Sequence, residues 1–101
     1  MHQDHCDLYA VKAALKTTDV KFYAPYMACK KLRGFEVPES RIHMTRLGES
    51  VQLKGATVEF LMCYDDTAIR TTEGPDVLPY ELACTSFLFR TSAGNILFMG
   101  D

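Results

Sequence analysis

Two histidines and one carboxylate lie within four positions at the start of the sequence, at His2, Asp4 and His5. A segment that short can bring all three side chains around one divalent metal ion only if the backbone turns tightly there. Imidazole nitrogen and carboxylate oxygen are ligands that suit zinc, manganese or iron. The motif therefore predicts a metal site and requires a tight turn of the backbone at these residues.

The composition is that of one small globular domain, with 101 residues, 48% of them hydrophobic, and a net charge of -2. No apolar run is long enough for a transmembrane helix, so we expect no membrane partner. A nucleic-acid footprint needs a broad basic stripe, and the densest basic cluster is only Lys30, Lys31 and Arg33. We interpret that cluster as a solvated helix face and expect no nucleic-acid partner.

The four cysteines are widely and irregularly spaced, and none forms a C-x-x-C pair. Cys29, Cys63 and Cys84 lie among apolar or small residues, which is typical of reduced, buried thiols in a cytoplasmic protein. Cys6 directly follows His5, and we interpret it as a packed thiol at the start of a helix.

The hydrophobic pattern predicts two helices separated by a short buried strand. Leu8, Val11 and Leu15 recur at helical spacing within 7–17, and Asp7 stands at the N-cap position. The β-branched and aromatic segment 20–24 predicts a strand. A second helix is predicted over 26–33, with Gly34 at its end.

From there the pattern favours β-structure, with a long loop over 65–82. Val58, Phe60 and Met62 alternate on one face of the longest strand. The predicted strands are 41–45, 51–53 and 56–64, followed by a hairpin of 86–90 and 96–99 across Ala93, Gly94 and Asn95. The order predicts an α/β fold with a mixed sheet and helices on one face.

Two motifs together resemble those of the metallo-β-lactamase superfamily: the His-x-Asp-His segment and an apolar strand, 96–99, followed by Gly100 and Asp101. Several short segments are similar to the L-ascorbate-6-phosphate lactonase family in the same order, namely 22–25, 32–41, 64–68, 77–79 and 87–89. The resemblance implies about one half of an αβ/βα sandwich, with 1–101 as a single incomplete domain. It also implies an internal fragment of a longer protein, inactive by itself.

The resemblance assigns metal-binding roles to four residues. His2 would bind a first metal, Asp4 and His5 a second, and Asp101 would bridge the two. The implied cofactor is manganese or zinc, which lowers the pKa of a bound water from about 15.7 towards about 7. The resulting metal-bound hydroxide would open a sugar-derived lactone, and Asp4 would serve as the catalytic residue that orients the water or carries its proton.

The resemblance also points to residues for substrate binding, because Asp65 and Asp66 follow the long strand. Asp66 stands where the family has an arginine, so recognition of a substrate phosphate is in question. Arg70 is close enough in sequence to replace that arginine. A single-metal site to which Asp65 contributes is a further alternative, and His43 is interpreted as structural.

The sequence supports three hypotheses of function. The first is a metal-dependent lactonase acting on L-ascorbate 6-phosphate, and the second is a relative with the same fold that hydrolyses another lactone or ester. The third is a non-catalytic remnant that folds only with a partner chain, because half a sandwich exposes strand edges. A homo-oligomer fits each of them. A nuclease of the same superfamily is disfavoured by the near-neutral charge.

Overall fold

Two helices and six strands make up the part of the chain that the computed structural model describes, residues 6–17, 19–63 and 85–99. In chain order the elements are α1 (Leu8–Leu15), β1 (Phe22–Ala24), α2 (Tyr26–Gly34), β2 (Ile42–Met44), β3 (Ser50–Leu53), β4 (Ala56–Met62), β5 (Thr85–Thr91) and β6 (Gly94–Phe98). A single 3-10 turn, Glu39–Arg41, leads into β2. Neither helix is long and apolar enough to cross a lipid bilayer.

Helix α1 begins where the sequence predicts. The side chain of Asp7 accepts a hydrogen bond of 2.9 Å from the backbone N–H of Ala10. Such an N-cap satisfies one of the backbone donors that the first helical turn leaves without a partner. Val11 is the buried residue of this helix, because only its inner face meets the rest of the protein.

The strands form two sheets. Strands β1 and β2 pair in parallel, with Phe22 opposite Ile42 and Ala24 opposite Met44. The other four form an antiparallel sheet in the order β3-β4-β5-β6. The predicted α/β class is confirmed, and the structure adds that the parallel and antiparallel pairings lie in separate sheets.

The helices cover one face of the two-stranded sheet, and the four-stranded sheet meets the other. The buried residues of the helical side are Val11, Ala24, Ala28, Cys29, Leu32 and Val37, with Phe22 and Ile42 packed against them. Because side chains alternate along a strand, Tyr23 points to the opposite face. There its ring stacks on Phe60 at a centroid distance of 6.2 Å. The result is three layers, with helices on one outer side only.

One face of the four-stranded sheet is apolar between Thr85 and Thr91, the residues at the two ends of β5. The strand register places the following side chains on it: Val51, Leu53, Val58, Phe60, Phe87, Phe89, Ile96 and Phe98. Val58 and Phe60 are buried on this face, as the alternation predicts, whereas the side chain of Met62 lies outside the description. The opposite face carries charge near the turns, where Arg90 pairs with Glu59 at 3.0 Å.

The closing hairpin is confirmed, but its turn is not where the sequence predicts. Thr91 pairs with Gly94, so the turn consists of Ser92 and Ala93 rather than Ala93, Gly94 and Asn95. The Thr91 hydroxyl explains the shift, because it accepts from the N–H of Ala93 and donates to the carbonyl of Gly94. These local bonds close the turn one residue earlier.

Arg41 ties the end of α1 to the beginning of both parallel strands. Its guanidinium donates to the carbonyl of Val20 at 2.8 Å, of Thr17 at 3.1 Å and of Leu15 at 3.2 Å. The carbonyls at a helix C-terminus lack intrahelical partners and carry partial negative charge, so a fixed cation stabilises them. Arg41 therefore sets the direction in which α1 runs relative to the parallel sheet.

We expect Arg41→Lys to lower the free energy of unfolding by about 1–3 kcal/mol. The single ammonium of lysine cannot donate to three carbonyls in the planar geometry that the guanidinium provides. Urea denaturation followed by circular dichroism measures the change. Arg46→Lys, at an exposed position, is the matched control and should change stability by less than about 0.5 kcal/mol. Equal losses in the two variants would show that the three bonds contribute no special stability.

Candidate functional site

The residues predicted to form the site all lie outside the described part of the chain: His2, Asp4, His5, Asp65, Asp66, Arg70 and Asp101. What the structure describes is the set of elements from which those segments continue. His5 is two residues before Asp7, the N-cap of α1. Asp65 and Asp101 are each two residues beyond a described position, Cys63 and Met99. The question is whether these three points lie at the same end of the molecule.

Strands β4 and β6 finish at the same end of their sheet, and this end is called the carboxyl edge. Both pair antiparallel with β5, which lies between them, so the two strands run in the same direction. The ends are joined directly, because the thiol of Cys63 and the hydroxyl of Ser86 both donate to the carbonyl of Met99, at 3.3 and 3.2 Å. The two described positions from which the chain continues to Asp65 and Asp101 are therefore in contact.

The carboxyl ends of the parallel strands meet that same edge. The backbone N–H of Thr45, directly after β2, donates to the carbonyl of Ala24 at the end of β1. The Thr45 hydroxyl lies 3.4 Å from the hydroxyl of Thr85, the first residue of β5. Thr45 is buried in this contact. The two sheets therefore share one edge, and Thr45 and Thr85 join them there.

The N-terminus of α1 points to this edge as well. Arg41 holds the C-terminus of α1 beside the starts of β1 and β2, so the other end of the helix lies towards their carboxyl ends. The buried thiol of Cys29 donates to the carbonyl of Ala24 at 3.2 Å, and Cys6 packs against the cluster that contains Cys29. A path of contacts thus connects the residue after His5 with the edge where β4 and β6 end.

The cysteine beside the predicted histidine is a neutral packing group. Burial raises the pKa of the Cys6 thiol, and the nearby Lys31 ammonium opposes this effect only in part. Burial also raises the pKa of the Cys29 thiol. A protonated thiol is a poor nucleophile and a poor metal ligand, which agrees with the packing role predicted for Cys6. Cys63 is only half-buried, so the prediction of full burial is wrong for that residue, and Cys84 lies outside the description.

The side chain of His43 contacts Glu49 and Tyr23. Its Nε2 atom lies 2.6 Å from a carboxylate oxygen of Glu49, and its ring packs 5.1 Å from the ring of Tyr23. The second carboxylate oxygen of Glu49 accepts from the N–H of Arg46. Within residues 6–17, 19–63 and 85–99, no group of three or more His, Cys, Asp or Glu side chains could hold a metal ion.

Sequence reasoning did not identify the residues that align the three segments. Arg41 was interpreted only as the beginning of a strand, and Thr45, Ser86 and Thr85 carried no signal. A hydroxyl or a guanidinium that bonds a distant carbonyl or hydroxyl leaves no periodic pattern in the sequence, because its partner is 13 to 40 residues away.

No family model matches the chain. Curated proteins from Salmonella paratyphi B, Salmonella newport and Salmonella agona are 29% identical to it over 99% of its length, each bearing the name probable L-ascorbate-6-phosphate lactonase UlaG.

The chain is similar to these lactonases. This confirms the resemblance that the short sequence segments indicate. The chain spans about 30% of the length of these relatives, so the match covers one part of each of them.

We expect Ser86→Ala and Cys63→Ala each to loosen the end of β6, because each removes one donor from the carbonyl of Met99. Hydrogen–deuterium exchange should speed up for the amides of 97–99, and most in the double variant. Thr57→Val removes a hydroxyl that donates to Gln52 between β3 and β4, away from β6, so it is the matched control and should leave these amides unchanged. An unchanged exchange rate in the double variant would mean that the backbone hydrogen bonds between β5 and β6 alone hold the end of β6.

Proposed function

We propose that the chain forms part of a metal-dependent hydrolase that opens a lactone ring. One observation carries the proposal. The three points from which the predicted ligand segments continue lie at one edge of the molecule: Asp7, Cys63 and Met99. Ligand sites in open α/β structures form at the carboxyl ends of strands, where loops from several elements meet. Similarity to curated lactonases supports the same reaction class.

The donor set suits a transition metal. His2, Asp4, His5 and Asp101 would supply imidazole nitrogens and carboxylate oxygens, which bind manganese or zinc. The two resident carboxylates would balance part of the metal's charge. The ties to the Met99 carbonyl would limit how far Asp101 can move from the other ligands, and such supporting contacts contribute strongly to metal affinity.

The chemistry divides between the ion and the chain. When bound, the ion would lower the pKa of a coordinated water and polarise the lactone carbonyl. Asp4 would orient that water and accept its proton. The neutral thiol of Cys6 would stay in the core beneath the site and take no part in the reaction.

The proposed substrate is a lactone of sugar size. Whether it carries a phosphate depends on the charges of the residues that would face it. Asp65 and Asp66 both continue from the end of β4, at the edge of the proposed site, and would face the substrate together with Arg70. A carboxylate at Asp66 repels a phosphate, whereas the guanidinium of Arg70 would attract it. The balance favours an unphosphorylated lactone or ester unless Arg70 reaches the phosphate.

A second candidate is a non-catalytic remnant of the fold. It is favoured by the exposure of Ile96, Leu97, Phe98 and Met99, which are 51–65% accessible in the described part of the chain. Elemental analysis of the purified chain, combined with a lactone hydrolysis assay, separates the two. Stoichiometric metal with turnover would eliminate the remnant.

We expect His5→Ala and Asp101→Asn each to weaken manganese or zinc binding at least about 10-fold, because each removes a ligand. Isothermal titration calorimetry measures the dissociation constant. His43→Ala is the matched control and should bind metal as the wild type does, since its partners Glu49 and Tyr23 are structural. Equal affinity in all three variants and the wild type would contradict the proposed ligand set.

We expect Asp66→Arg to raise affinity for L-ascorbate 6-phosphate relative to L-ascorbate by about 10-fold, because repulsion of the phosphate is replaced by a bidentate donor. Titration followed by NMR compares the two ligands. Asp66→Asn removes the charge without adding a donor and should give an intermediate ratio. An unchanged ratio in both variants would argue against any phosphate contact at this position.

A further inference from the structure

Arg46 is an exposed cation at the carboxyl edge. It directly follows Thr45, whose hydroxyl lies 3.4 Å from that of Thr85, the first residue of β5. Thr85 is opposite Met62, the last residue of β4, in the antiparallel pairing of these two strands. The backbone of Arg46 is therefore placed beside the strand end from which one segment of the proposed site continues.

The other lysines and arginines that the structure describes lie away from this edge. In α1 they belong to the part of the helix that is held beside the starts of β1 and β2. Helix α2 begins beside the carboxyl end of β1 and runs back towards the start of β2, so its basic residues lie farther from the edge. The rest precede β1 or β2, or lie at the opposite end of the four-stranded sheet. These residues are Lys12, Lys16, Lys21, Lys30, Lys31, Arg33, Arg41, Lys54 and Arg90.

The backbone of Arg46 is held in place by Glu49. One carboxylate oxygen of Glu49 accepts from the N–H of Arg46 at 3.1 Å, and the N–H of Glu49 donates to the carbonyl of Arg46 at 3.1 Å. The other oxygen lies 2.6 Å from Nε2 of His43, which anchors the turn to β2. Gly48, with a φ of +78°, donates to the carbonyl of Phe60 and anchors the turn to β4. A guanidinium on a turn that is already ordered loses less entropy when it binds an anion.

None of the ion pairs among the described residues uses the guanidinium of Arg46. Those pairs are Arg33 with Glu39, His43 with Glu49, and Arg90 with Glu59. The carboxylate of Glu49 bonds the ring of His43 and the backbone of Arg46, rather than its side chain. A guanidinium presents parallel N–H donors that match the oxygens of a phosphate. The chemistry of Arg46 therefore fits a phosphate monoester.

We propose that Arg46 is a specificity-determining residue of the lactone site and binds a phosphate group on the substrate. The inference rests on the proposed hydrolase function and narrows its substrate class to phosphorylated lactones. A carboxylate at Asp66 repels a phosphate, and the guanidinium of Arg46, at the edge from which that segment continues, offsets this repulsion. With Arg46 included, the charges no longer favour an unphosphorylated substrate. Arg46 contacts the phosphate and takes no part in opening the ring.

Arg46→Gln should lower the affinity for L-ascorbate 6-phosphate relative to L-ascorbate about 10-fold, because a charged donor to the phosphate is lost. Titration of the chain followed by NMR measures both dissociation constants. Arg46→Lys keeps the charge without the planar fork and should lose less. Lys54→Gln makes the same change of charge in the exposed turn after β3, at the opposite end of the sheet. It is the matched control and should leave the ratio unchanged.

Inorganic phosphate alone provides a second measurement, which does not require lactone binding. It should shift the amide resonances of residues 45–49 in the wild type and in Lys54→Gln, but not in Arg46→Gln. Amides that phosphate leaves unshifted in the wild type would overturn the role of Arg46.

The two measurements separate this inference from the proposed function. A ratio that Arg46→Gln leaves unchanged would overturn the role of Arg46 without affecting the hydrolase proposal, and so would an equal loss in Lys54→Gln. Phosphate shifts that depend on Arg46, in a chain that binds neither ascorbate, would support the phosphate contact and count against a lactone as its carrier.

Discussion

The contact between Tyr23 and Phe60 is the one on which the relation of the two sheets depends. Phe60 is 1% exposed, stacks on Tyr23 and packs edge-on against Phe87 at 5.8 Å. Its backbone also exchanges hydrogen bonds with the segment before β3, at Gly48 and Glu49. A large aromatic side chain buried this completely gains both apolar contact and favourable ring geometry. Among the described residues, this pair of rings joins the two layers at their centre.

The position of the candidate site follows from that arrangement. Once the layers are joined, Thr45 and Thr85 bring the ends of the parallel strands to the edge where β4 and β6 finish. Arg41 directs the start of α1 to the same edge by holding the other end of the helix. The segments that carry the predicted ligands thus continue from elements that part-buried polar contacts hold in place. Such contacts are effective because a buried donor or acceptor without a partner is costly, so the bonded arrangement is strongly preferred.

Local elements were predictable because local physics determines them. The helical spacing of Leu8, Val11 and Leu15 and the cap at Asp7 predicted α1, and the alternation at Val58 and Phe60 predicted β4. The turn of the last hairpin was misplaced by one residue because a side-chain hydroxyl, that of Thr91, decided it. The division into two sheets was not predicted, because the parallel pairing of β1 with β2 joins residues 20 positions apart and leaves no periodic signature.

The sequence by itself determined the residue types of the predicted metal site, the helix and strand segments, and the similarity to a lactonase. Each of these rests on chemistry or spacing within a short window of the chain. Only the tertiary structure decided that the segments carrying those residue types continue from one edge. It also decided that an apolar strand, β6, lies at the outside of the sheet. The physical reason is the same in both cases. Contacts between residues far apart in the chain depend on how layers pack, and packing is a property of the whole fold rather than of any one segment.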